Sequence, residues 1–73
     1  MEERSDELKK LLDVATDVVL PPQVRSDTIK FIGNMGNREA LLGLLELAAN
    51  EKLTRKEREA ALQYAREIVH KSA

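Results

Sequence analysis

Two stretches of this chain, set 33 residues apart, follow a common pattern of apolar and polar positions. Leu8, Leu11, Leu12 and Ala15 recur as Leu41, Leu44, Leu45 and Ala48, Leu20 recurs as Leu53, and Arg25 as Arg58. Asp13 and Glu46, Ile29 and Leu62, Phe31 and Tyr64, and Met35 and Ile68 keep their character across the same step. Self-similarity at this period is the signature of stacked units, none of which can bury its apolar face alone. The units are expected to span about residues 5–36 and 37–71, within a single domain over residues 1–73.

Each unit reads as two helices. Leu8, Leu11, Leu12 and Ala15 recur at three- and four-residue steps and form one face of an amphipathic helix. Ser5 or Asp6 is its expected N-cap. Pro21 and Pro22 open the second helix, where no backbone donor is needed, and Val24, Thr28, Ile29, Ile32 and Met35 form its apolar stripe. Gly36 is the expected left-handed residue that ends it. Asn37 is expected to cap the third helix, with Leu41, Leu44, Leu45 and Ala48 inward. Thr54 and Glu57 form a T-x-x-E capping box for the fourth, which turns Ala61, Leu62, Ala65, Ile68 and Val69 inward. No stretch alternates as a strand would. The expected fold is all-α, four helices as two stacked antiparallel hairpins, with a compact four-helix bundle as the alternative because the same periodicity serves both.

With 73 residues, a chain buries only about 60% of its unfolded surface, and domains this small usually need a staple or very regular packing. No cysteine is present and His70 is the sole histidine, so disulfides and Cys/His metal sites are excluded and no cofactor is expected. Formal charge is −1, and acidic and basic residues are close to balance in both halves. That gives no electrostatic case for nucleic acid. The polar start and the lack of any long apolar run point away from a membrane and to a cytoplasmic location.

The segment "VRSDTIKFIGNMGNREALLGLL" resembles a HEAT-like helical repeat, of the short kind found in bilin-lyase-type repeat proteins. Val24, Arg25, Gly33, Gly36, Ala40 and Leu41 carry the match. The second unit, "EREAALQYAREI", keeps Arg58, Ala60, Ala61, Leu62 and Ala65 but has Arg66 and Val69 where the first has Gly33 and Gly36. Those departures fit a terminal repeat. The resemblance implies an α-solenoid fragment in which Arg25 and Arg58 are structural and reach carboxylates or helix-end carbonyls. It also implies a concave partner-binding face lined by Gln23, Ser26, Lys30, Asn34, Lys56, Glu59, Gln63 and Glu67.

Phe31 is expected to fill the gap between units, and Tyr64 to be the more exposed aromatic. Val14, Val18 and Val19 exceed what one stripe needs, so both ends of the stack are candidate self-association surfaces. The inventory is poor for catalysis. His70 has no triad partner, "GNMGN" follows a helix and lacks the lysine of a phosphate loop, and no catalytic or metal-binding residues are expected. The basic run from Lys52 to Arg58 is interrupted by Glu57. The expected function is a non-catalytic repeat module that binds a protein partner or a second copy of itself. The alternatives are an accessory domain of a larger enzyme or lyase complex, and a small DNA-binding regulator.

Overall fold

A computed structural model describes residues 5–72 as α1 (Asp6–Ala15), α2 (Pro22–Met35), α3 (Arg38–Ala48) and α4 (Arg55–Ser72), with no strand among the described residues. Side chains near each start set the boundaries. The Ser5 hydroxyl accepts the Leu8 N–H at 3.1 Å, which settles Ser5 over Asp6 as the first cap. Asn37 Oδ1 accepts the Ala40 N–H at 2.8 Å. The capping box of α4 forms in both directions, Glu57 N–H to Thr54 Oγ1 at 3.1 Å and Thr54 N–H to Glu57 Oε1 at 3.0 Å. Pro22 sits in the first turn of α2, and Gly36 ends that helix with a φ of 67°, the left-handed conformation that a Cβ disfavours.

The α1–α2 and α3–α4 loops share a set of three hydrogen bonds. In the first, Asp17 N–H donates to Val14 O, Leu20 N–H to Asp17 O, and Val19 N–H to Asp17 Oδ1 at 3.0 Å. In the second, Asn50 N–H donates to Leu47 O, Leu53 N–H to Asn50 O, and Lys52 N–H to Asn50 Oδ1 at 2.9 Å. Every partner is displaced by 33 residues. Asp and Asn make the same turn because each uses a side-chain oxygen to accept from the backbone two residues on.

All pairs of helices touch except α1 and α4. Between them lies one core, in which Leu8, Ile29, Ile32, Leu44 and Leu47 are the largest fully enclosed side chains. The radius of gyration is 11.3 Å, against about 11 Å expected for a compact domain of this length.

Several expected core positions lie elsewhere. Leu45 is 43% exposed while its neighbour Leu44 is 0% exposed. Val24, Leu62 and Val69 are also exposed, and Leu41 and Ala48 are only half-buried. The reason is positional. Helix α3 must face α1, α2 and α4 together, so its buried stripe is Ala40, Gly43, Leu44 and Leu47. The leucine pattern inherited from α1 then points partly outward.

The two aromatics exchange the places expected of them. Phe31 is 60% exposed, whereas Tyr64 is half-buried against α2. Gly33 is the cause. A Cβ built there would lie 2.6 Å from Tyr64 Cγ and 2.9 Å from Tyr64 Cβ. Those atoms are at the root of the side chain and cannot swing away. Gly33→Ala is therefore expected to lower stability. Overpacking of this kind costs about 1–3 kcal/mol, against about 1 kcal/mol recovered in helix propensity. Gly43→Ala provides the contrast, because its Cβ would meet only the mobile end of Leu12, at 3.2 Å. Urea titration of both variants should give a loss for the first and a small gain for the second.

Candidate functional site

Arg25 is the most elaborately held polar side chain of the fold. It is buried in the first turns of α2, and its Nε and Nη2 both lie 3.0 Å from Glu57 Oε2 on α4. Its Nη1 donates back to Leu20 O at 2.6 Å and to Asp17 O at 3.4 Å. One guanidinium thus ties the α1–α2 loop to the N-terminus of α4, a use suited to its planar fork. Glu57 divides its two oxygens between Arg25 and the Thr54 N–H. Burial by itself pushes the Glu57 carboxyl up. The Thr54 backbone donor and the Arg25 hydrogen bond and charge outweigh it and hold the pKa below its ordinary 4.5.

Arg58 plays a related part in the second hairpin, donating from Nε to Ala48 O at 2.9 Å. It thereby satisfies a carbonyl left open at the end of α3, where the helix dipole also favours a cation. Arg25 is buried with its charge paired, whereas Arg58 is only half-buried. The carboxylate partner of Arg25 has no signal along the chain: the T-x-x-E capping box accounts for one Glu57 oxygen and leaves the second unassigned.

The eight polar positions expected to line a binding face, Gln23, Ser26, Lys30, Asn34, Lys56, Glu59, Gln63 and Glu67, are all exposed. Four of them bond along their own helix: Gln63 with Glu67 at 3.5 Å, and Gln23 and Glu59 with the neighbours Asp27 at 2.9 Å and Arg55 at 3.1 Å. Exposed pairs one helical turn apart contribute only about 0.3–0.5 kcal/mol each. They form two solvated rows, one on α2 and one on α4.

Two open apolar grooves lie elsewhere, and Val18, Val19, Val24 and Leu42 are exposed outside them. The first runs between α1 and α2 and is lined by Glu7, Lys10, Leu11, Val14, Phe31 and Met35. The second runs between α3 and α4, lined by Leu41, Leu45, Leu62, Ala65, Arg66, Val69 and His70. Leu62 also borders an adjoining hollow with Ala48, Arg55, Arg58 and Glu59. Of the valines expected to mark an end surface, Val18 and Val19 are exposed on the α1–α2 loop and Val14 lies in the first groove. His70 is exposed beside Val69, and the described residues contain no group of acidic and histidine side chains placed to hold a metal ion. No helix among the described residues is long and apolar enough to cross a membrane. Compared with protein-family models, curated proteins and solved structures, the chain matches none.

Proposed function

We propose that the protein is a non-catalytic helical-repeat module, two antiparallel hairpins stacked in the manner of a HEAT-like solenoid, which binds a protein partner through its apolar end grooves. The arrangement is supported by which helices meet. In an up-down bundle the fourth helix closes against the first, whereas here α1 lies against α2 and α3 and never touches α4. That is the pattern of one hairpin laid on another. The matching loops and the two inward-bonded arginines agree with it.

The observation that carries the function is the pair of grooves. Phe31, Leu45, Leu62 and Val69 are large apolar side chains left exposed at the two flanks of a 73-residue chain. Contiguous apolar surface rimmed by charge is the usual mark of a protein interface. The polar rows on α2 and α4 have no comparable feature. A photo-crosslinking side chain placed at Phe31 or at Leu62 in living cells is expected to yield discrete protein adducts, and one placed at Gln63 is not. Adducts from Gln63 alone, or none from either groove, would refute this reading.

A further inference from the structure

The residues that line the two grooves are not an arbitrary selection. Glu7, Lys10, Leu11, Val14, Phe31 and Met35, the whole lining of the first groove, stand 33 residues before Ala40, Gly43, Leu44, Leu47, Tyr64 and Ile68. Those six form the face by which the second hairpin packs on the first. Gly43 lies against Leu12, Tyr64 lies against Gly33, and the others are enclosed in the core. The second groove follows the same rule. Leu41, Leu45, Leu62, Ala65 and Arg66 stand 33 residues after Leu8, Leu12, Ile29, Ile32 and Gly33. Of these, Leu8, Ile29 and Ile32 are enclosed in the core, Leu12 lies by Gly43 and Gly33 by Tyr64. Val69 and His70 instead match the exposed Gly36 and Asn37. Each groove is therefore the repeat equivalent of one half of the internal interface, and the two halves are complementary.

From this we infer that copies of the chain stack head to tail, the first groove of one copy seated on the second groove of the next, continuing the contact already made between the hairpins. The inference rests on the repeat reading proposed above and names the partner. Charge is mixed at the two edges: Glu7 and Lys10 border the first groove, and Arg66 and His70 border the second. In this pairing Phe31 takes the place of Tyr64 and meets Arg66 where Tyr64 meets Gly33, an arrangement suited to a cation on an aromatic face. Three substitutions make the contact looser than the internal one. Lys10 and Arg66 replace the close-packing Gly43 and Gly33, and Val24 replaces the carboxylate of Glu57. The long stems of Lys10 and Arg66 can lie along the apolar surface with their charges outward.

A contact between two different faces does not close on itself, so assembly should run beyond the dimer as concentration rises. Sedimentation equilibrium of the whole chain tests this with Phe31→Asp, which spoils the first groove, and Leu45→Asp, which spoils the second. Val69→Asp, at a more exposed site, replaces Leu45→Asp if that variant loses its helical circular dichroism. Each variant alone is expected to stay monomeric. An equimolar mixture should form a one-to-one dimer and stop there, because each partner supplies the face the other lacks. A wild-type chain that remains monomeric at every concentration overturns the inference, as does a single variant that still dimerises through its intact face. If the chain is monomeric while crosslinks from Phe31 and Leu62 still capture other proteins, self-stacking fails and the interaction module stands. If those sites capture nothing, both readings fail.

Discussion

Glu57→Ala is expected to destabilise the protein by roughly 3–5 kcal/mol, the usual cost of removing one member of a buried ion pair. A domain of this length has a total stability of about 4–11 kcal/mol at typical values per residue, so much of it is at stake. The size of the effect follows from what is left behind. Arg25 is enclosed, and without Glu57 its guanidinium keeps only the Leu20 and Asp17 carbonyls. Thr54 also loses the partner of its N–H. The double replacement Arg25→Met with Glu57→Leu should recover most of the loss, because no lone charge remains buried. A residual deficit of about 1 kcal/mol is expected from the missing cap. If the double variant is as unstable as the single one, the damage comes from packing and capping and not from the stranded charge.

The same pair predicts a pH dependence of definite sign. The carboxyl of folded Glu57 has a pKa below the ordinary 4.5, so the folded state binds its proton less readily than the unfolded chain does. Its contribution is fully present above 4.5 and is lost as pH falls through the folded-state value. Stability measured by urea titration should decline on acidification below that point. In Glu57→Gln the decline should be shallower, because that group no longer titrates.

Leu44→Ala is expected to cost about 2–5 kcal/mol, as deletion of a fully enclosed leucine does. Leu45→Ala, one residue along, should cost about 1 kcal/mol or less, because a large part of its side chain already faces water. The contrast separates two meanings of the same leucine pattern. Leu44 is needed by the hairpin pair as it stands. Leu45 stands 33 residues after Leu12, which is half-buried beside Gly43 of α3. Thermal melts of the two variants side by side would measure the difference, and comparable losses would mean that α3 turns another face to the core.

Much of this architecture was legible along the chain because it depends on local chemistry. The four helices and the caps at Asn37 and Thr54 follow from periodicity and from side-chain oxygens placed to accept the first free N–H groups. The first cap is narrowed along the chain to Ser5 or Asp6, and only the structure chooses Ser5. The left-handed turn at Gly36 and the proline start of α2 follow from backbone sterics. The 33-residue correspondence is read directly from matching residue types, and it reappears in bonds of the two loops.

Tertiary packing decided the rest. A helical stripe has width, and its sequence does not say which edge meets a neighbour and which stays in water. In α3 that choice put Leu44 inside and left Leu45 out. In α2 and α4 it placed Tyr64 on the bare backbone of Gly33 and left Phe31 exposed, the reverse of what their positions in the repeat implied. The Arg25–Glu57 pair joins residues on different helices, and neither has a local signal naming the other. The sequence by itself determined where each helix starts, where it stops and which residues could be apolar contacts. Only the meeting of the hairpins decided which of those contacts are made within the chain and which are left facing outward, because burial belongs to the space between elements and not to any one of them.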